Sequence, residues 1–267
     1  MDTERGKALV TGASSGIGAA YAERLAQEGW DTVLVARRRQ RLDDLAGRLR
    51  ETTGTHPEIL EADLSLPEDL ARVVARVAAG DVGFLLNNAG INGYGPFAAL
   101  DPDLLAKVVN VNVLAVTALT RAAVPAMLER GRGTIVNVAS QLAFAGSLPP
   151  DPLPQRAVYG GTKGYVVTFT RTLAAELAGT PLRLQVLCPG LTATEFHLTR
   201  GDLPVAGREA AVHEDGGMPV GQVIDASLAG LEAGEVVVVP GLADSGPVAE
   251  LAAAEQGIRT AARGGRG

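Results

Sequence analysis

The chain has 267 residues, 46% of them hydrophobic and 20% charged, with a formal net charge of −6. That length suits one large α/β domain or two small ones, the apolar share is enough for a sizeable core, and the acidic balance offers no basic field to a nucleic acid. A single cysteine, Cys188, excludes an intramolecular disulfide and is expected to be a small buried apolar residue. The opening "MDTERGKALV" has charges of both signs and no signal-peptide core, and no uninterrupted apolar run reaches the roughly 18 residues of a membrane span. A cytoplasmic protein without a membrane span is therefore expected.

Short β-branched apolar runs alternate with helical patterns along the chain. Strands are predicted over 8–11, 32–36, 58–61, 82–87, 133–139, 183–188 and 235–239. Most are continuously apolar, as in strands buried on both faces of a parallel sheet. Helices are predicted over 17–28, 38–52, 67–79, 100–130, 158–178 and 220–231. Within "SLPEDL", Ser65 is placed to cap a helix that opens with Pro67 and Glu68. The rhythm runs on without a composition break. It implies a single doubly wound, Rossmann-like α/β domain with a mostly parallel sheet over 1–251, and a frayed tail over 252–267.

The stretch "LVTGASSGIGAA" puts Gly12, Gly16 and Gly18 where the first strand gives way to the first helix. A helix N-terminus presents N–H groups and the positive end of a dipole, which suit an anionic pyrophosphate if no Cβ blocks its approach. Gly12 would allow the tight turn, Gly16 the close approach and Gly18 the packing of the helix. The spacing is G-x-x-x-G-x-G, and by itself it is also compatible with a tight loop that binds nothing.

Further along stand "NNAG" at 87–90, Tyr159 and Lys163 in "YGGTK", and Pro189–Gly190. With the glycine turn these resemble the short-chain dehydrogenase/reductase family, over roughly residues 5–240. The resemblance implies a dinucleotide site made by Gly12, Ser14, Ser15, Gly16, Ile17, Gly18, Asp63, Leu64, Asn88, Ala89, Gly90, Tyr159, Lys163, Pro189, Gly190, Thr192 and Thr194. Asp63 would bind the adenine amino group, and Thr192 and Thr194 the carboxamide end of the nicotinamide. Where the family usually carries an acidic residue after the second strand, this chain has Ala36 followed by "RRRQRL". Guanidinium matches a 2′-phosphate, so NADP(H) is the expected cofactor, with Arg37 as first contact and Arg38 as second.

Tyr159 and Lys163, four residues apart, share a helical face. An ammonium there is expected to stabilise phenolate and draw the phenol's pKa down. The resemblance makes Tyr159 the general acid, Lys163 a ribose ligand as well, Ser140 the donor to the substrate carbonyl and Asn112 the anchor of a water relay. Asn112 is unfavourable in mid-helix, which points to a non-helical reason for its presence. Residues 141–158 form a longer spacer than the family's usual one, with prolines at 149, 150, 152 and 154. Such a segment reads either as a surface loop or as a flap over the substrate, and it keeps Ser147 as a second candidate for the catalytic serine. Gly160 and Gly161 weaken the start of the catalytic helix by up to ~2 kcal/mol relative to alanine. Phe144, Phe196, His197 and Leu198 are candidate substrate contacts. His56, His197 and His213 show no metal-ligand spacing, and no metal is expected.

The expected activity is hydride transfer between a nicotinamide and a small-molecule carbonyl or secondary alcohol. The alternatives are epimerisation or dehydration on the same fold, or a nucleotide-bound regulatory protein with little turnover. The resemblance implies that the 100–130 and 158–178 helices pair subunits in a homodimer or homotetramer, and their small and apolar residues are consistent with such an interface.

Overall fold

The computed structural model describes residues 5–151, 153–200, 203–204 and 217–264; His213 lies outside these, as do the side chains of His197 and Leu198. A seven-stranded parallel sheet has the order β3-β2-β1-β4-β5-β6-β9. Its strands are β1 (Lys7–Thr11), β2 (Thr32–Ala36), β3 (Glu58–Glu61), β4 (Val82–Asn87), β5 (Gly133–Val138), β6 (Leu182–Leu187) and β9 (Val237–Val238). Two short antiparallel strands, β7 (Thr199–Arg200) and β8 (Leu203–Pro204), pair apart from it.

Successive strand residues serve opposite faces. Val10 and Leu86 pack with α1 (Gly16–Gln27), α2 (Arg39–Thr53) and α7 (Val220–Ala233) on one side. Leu9 and Leu85 pack on the other with α3 (Pro67–Ala78), α4 (Pro102–Val109), α5 (Val116–Glu129) and α6 (Ala157–Glu176). Each such leucine, fully buried, stabilises the fold by roughly 1.5–3 kcal/mol. Two covered faces explain why these strands read as unbroken apolar runs. Chain direction across the sheet reverses between β1 and β4, and the crevice at the carboxyl ends of these strands is where ligands bind in such sheets.

Three elements depart from the sequence pattern. The 100–130 helix divides into α4, a π-helical turn (Asn110–Ala115) and α5. The Asn112 side chain is the reason: it bonds outward to Ile91 and Thr162. The combined run Pro102–Glu129 is long and apolar enough to cross a membrane by length and composition, and its apolarity is used here against the sheet, where Val108, Leu119, Ala123 and Met127 are buried.

Ser65 does not cap α3. Its N–H and its Oγ both donate to Asp63 Oδ1, at 2.9 and 2.7 Å, and Leu66 takes the cap position ahead of Pro67. Within the stretch expected to fray, residues 252–264 belong to a helix, α8 (Gly246–Gly264), and 265–267 lie outside the described residues. "ELAAAEQ" is rich in strong helix formers. Glu255 ties this helix to α6 by accepting from Arg171 at 2.7 and 2.9 Å.

Candidate active site

The glycine turn sits at the carboxyl end of β1. Gly12 and Gly16 have φ of +68° and +55°, which side chains rarely adopt. A Cβ on Gly18 would stand 2.4 Å from both Asn88 Nδ2 and the Gly12 carbonyl oxygen, so α1 starts hard against the crevice floor. Ser15, at the cap position of α1, makes no side-chain cap bond. Its Oγ, with that of Ser14, instead accepts from Arg38 at 2.6 and 2.9 Å. The cradle thus combines bare backbone, a helix start and a guanidinium, a donor set that fits a dinucleotide's phosphates.

The two arginines expected to meet a 2′-phosphate divide their work. Arg38, the second candidate, lies against the turn, whereas Arg37 is 4.0 Å from Asp63 Oδ2 and lines an open pocket with Ile59, Asp63, Asp69 and Arg72. That pocket lies beyond β3, where the resemblance puts the adenine. Leu64 turns its side chain into the core.

Opposite, β4 ends in the "NNAG" turn. The N–H groups of Asn88 and Ala89 both donate to Thr11 Oγ1 at 3.0 Å, and Asn88 Nδ2 donates to the Thr11 carbonyl. Asn87 donates sideways to Asn137 Oδ1 and Thr120 Oγ1, crossing from β4 to β5 and α5. A Cβ on Gly90 would lie 3.4 Å from both Lys163 Nζ and Asn112 Oδ1, so this turn forms the wall behind the lysine. Ile17 is partly buried behind the glycine turn in the core cluster shared by α1 and α2.

Ser140 follows β5 and caps a 3₁₀ turn, its Oγ accepting from Leu142 N–H at 3.2 Å. The same side chain faces the Tyr159 phenol and favours its ionised form. Ser147 is exposed, away from this contact, so Ser140 is the serine brought to the tyrosine. Tyr159 and Lys163 project from α6, both buried. Lys163 Nζ lies 5.7 Å from the Tyr159 ring centroid and donates to the Val138 carbonyl at 2.8 Å.

The expected lowering of the phenol by the ammonium is not what this geometry yields. Burial raises the Tyr159 pKa well above its ordinary value, Tyr94 adds to the rise, and Ser140 opposes it. Burial also pushes Lys163 down, to about 8. Cys188 is buried beside the lysine, its thiol pushed up to about 12 by burial, which leaves it a poor nucleophile near neutrality.

Asn112 accepts from Ile91 N–H at 3.0 Å and donates to the Ile91 carbonyl at 3.0 Å and to Thr162 Oγ1 at 3.1 Å. It therefore joins the wall after β4 to the residue next to Lys163. Asn110, two positions away, instead donates to the Ser65 carbonyl.

After β6, Pro189 accepts from Gln141 N–H, and Thr192 Oγ1 donates to the Gly190 carbonyl. A Cβ on Gly16 would meet the Thr194 methyl at 3.1 Å, so Thr194 overhangs the phosphate turn. Phe196 packs its ring 5.7 Å from that of Tyr159. Tyr94 packs edge-on to Tyr159 at 5.2 Å. Sequence reasoning missed Tyr94; its only signal is "INGYG", just past the fourth strand. Phe144 remains partly exposed. Of the two glycines opening α6, Gly160 has a reason, since a Cβ there would lie 3.4 Å from the Leu142 carbonyl oxygen; nothing within 4 Å restricts Gly161. Among the described residues no three His, Cys, Asp or Glu side chains cluster as a metal site would require.

A doubly wound parallel sheet with a phosphate turn at its switch point and a Ser–Tyr–Lys group in the same crevice defines a dinucleotide-dependent oxidoreductase architecture. The sequence profile of the short chain dehydrogenases matches residues 6–202, and the chain belongs to that family. It is 36% identical to the very-long-chain 3-oxoacyl-CoA reductase of Anas platyrhynchos over 194 residues, 71% of this chain and 60% of that protein. It thus matches less than two thirds of the length of that relative. Identity is also 36% to the sulfoacetaldehyde reductase 2 of Chromohalobacter salexigens over 200 residues, 72% of this chain and 75% of that one. Among solved structures, a short-chain dehydrogenase from Sphingobium yanoikuyae in complex with NADPH superposes with a TM-score of 0.86 at 36% identity, covering 96% and 95% of the two chains. The bulky-bulky ketone specific alcohol dehydrogenase of Comamonas testosteroni gives 0.82 at 35% identity, covering 96% and 94%.

Proposed function

We propose that the protein is an NADP(H)-dependent reductase of ketones whose carbonyl is flanked by apolar groups. The observation that carries this reading is the buried Tyr159 with Lys163 Nζ 5.7 Å from its ring, on one helix face in the crevice that holds the phosphate turn. Arg37 and Arg38, with no acid at Ala36, support NADP(H) over NAD(H), and the NADPH bound by the Sphingobium relative agrees with it. The turn at 12–18, Asp63, the 88–90 wall, Lys163 and Thr192–Thr194 would hold the cofactor. When bound, reduced nicotinamide supplies a hydride.

The chain's own groups then handle the oxygen. Ser140 Oγ donates to the carbonyl oxygen, a bond that strengthens as negative charge develops there. Tyr159 keeps its proton until the alkoxide needs it, because burial has raised its pKa. As the proton leaves, the Lys163 ammonium, fixed by the Val138 carbonyl, offsets the charge on the phenolate oxygen. Tyr94 and Phe196 give apolar walls beside the phenol and favour aromatic or aliphatic substituents on the substrate.

Consumption of NADPH in the presence of a panel of bulky ketones, followed by loss of reduced-nicotinamide absorbance, tests this. Tyr159→Phe is expected to lower kcat roughly 10²- to 10⁴-fold. Unchanged turnover in that variant, or tight NADPH binding with no turnover on the whole panel, would overturn the reading.

A further inference from the structure

The turn after Thr194 carries a contact that the catalytic reading does not use. Glu195 extends its carboxylate to the arginines that follow β2. Its Oε2 accepts from Arg38 Nη1 at 3.1 Å, and both oxygens accept from Arg41 Nη1, at 2.9 and 2.8 Å. Arg38 is at the same time bonded to Ser14 and Ser15 in the phosphate turn. The carboxylate is thus held by two guanidiniums, donors that a phosphate monoester would also take, and one of them is anchored on the hydroxyls of the phosphate turn. All three charged side chains are a little under half exposed.

Glu195 is also the middle of a three-residue link. Thr194 overhangs Gly16 on one side of it. On the other side, Phe196 packs on the Tyr159 ring, and its carbonyl accepts from Asn92 Nδ2 at 3.0 Å. Glu195 therefore stands in the chain between the contact on the phosphate turn and the contact on Tyr159.

We propose that Glu195 is a specificity-determining residue for the cofactor: its carboxylate holds Arg38 and Arg41 as an internal anion, and a cofactor 2′-phosphate takes them from it. The inference rests on the NADP(H) reading above. Like charges do not share a guanidinium face without cost, so NADPH binding has to break the Glu195 pairs, whereas NADH leaves them standing. Glu195 thereby narrows the preference for the phosphorylated cofactor. Its release also frees the turn that places Phe196, which ties recognition of the phosphate to the shape of the substrate wall.

The test measures dissociation constants of NADPH, NADH, 2′,5′-ADP and 5′-ADP on the whole protein at low and high salt, for the unmodified chain and for Glu195→Gln. The surface position of Glu195 makes misfolding no obstacle, and Glu195→Ala serves as a second variant. Removal of the charge is expected to tighten NADPH and 2′,5′-ADP about three- to tenfold, as suits the release of half-exposed ion pairs, and to leave NADH and 5′-ADP unchanged. The gain should shrink at high salt. A clear NADPH preference with no change in either variant, or with weaker NADPH binding, would overturn the role of Glu195 and leave the cofactor reading standing. If the unmodified chain binds NADPH no better than NADH, the cofactor reading fails, and this proposal fails with it.

Discussion

Lys163 Nζ and the Val138 carbonyl oxygen are 2.8 Å apart, so the last residue of β5 holds the ammonium that α6 carries into the crevice. Burial has brought this lysine down to about 8. Below that pH it is charged and can offset the phenolate; above it the charge is lost. Ketone reduction is expected to fall as pH rises through about 8, as a kcat profile at saturating cofactor would show. Lys163→Met should remove that limb together with most of the activity.

Asn112 makes three hydrogen bonds from within a helical turn widened to π form. Asn112→Leu leaves the Ile91 N–H and carbonyl buried without partners, at about 1–3 kcal/mol for each group. Urea unfolding is expected to show this loss. The variant's kcat should also drop, because Thr162 and the wall beside Lys163 lose their tie.

Arg156 is a buried cation at the cap position of α6, where the helix dipole disfavours positive charge. Three carbonyls offset this: its guanidinium donates to Ala145, to Leu148 at 2.9 Å and to Pro154 at 3.1 Å. It thereby pins both ends of the proline-rich 145–154 segment beside α6. We expect Arg156→Lys, with fewer donors, to speed protease cleavage within that segment. KM for bulky ketones should change more than kcat if the segment is a flap, and neither should change if it is only a surface loop.

Arg76 bridges Glu58 and Asp81, at 2.8 and 2.6 Å, and joins α3 to β3 and to the loop before β4. Its guanidinium holds both carboxyls below their usual range, although burial opposes this. Carboxyls depressed in the folded state contribute stability above their unfolded pKa values and lose it as pH falls through the folded ones. Arg76→Met is expected to cost about 1–2 kcal/mol at neutral pH, discounted for the part-exposed carboxylates. The gap between variant and parent in urea midpoints should close as the carboxyls are protonated.

The helices expected to pair subunits expose apolar side chains. Val109 and Leu114 are 44% and 51% exposed, and Tyr165 stacks on Phe169 over a shallow groove on α6. We expect light scattering to give at least a dimer mass, and Leu114→Glu to reduce it. A monomer mass for the parent chain would count against assembly through this face.

Much of this architecture can be read from short-range chemistry. The continuous apolar runs located all seven main-sheet strands, and the bounds of β2, β3 and β4 are as the pattern predicts. β2 and β4 are buried along their whole length, whereas β3, at the sheet edge, is marked by the glutamates that bound its two apolar residues. The glycine turn and the Tyr159–Lys163 pair were legible because each depends on spacing within one element. What escaped depends on partners distant in sequence. The π-helical turn comes from Asn112 meeting Ile91 and Thr162, and the aromatic wall needs Tyr94 and Phe196, far apart in the chain; Ser65 is the exception, drawn off its cap by the near neighbour Asp63. The direction of the Tyr159 shift was misjudged for a similar reason. Helical spacing shows that an ammonium is near, but says nothing of how dry the phenol is.

At the reversal between β1 and β4, Thr11 accepts through one hydroxyl from two successive amides, and the side-chain amide of Asn88 is wedged between its carbonyl and Gly18. The two halves of the sheet are riveted at the point where an open α/β sheet would most easily spread. A bulky guest cannot be admitted by prising strands apart, so any breathing that lets it in belongs to the rim around Phe196 and the 145–154 segment.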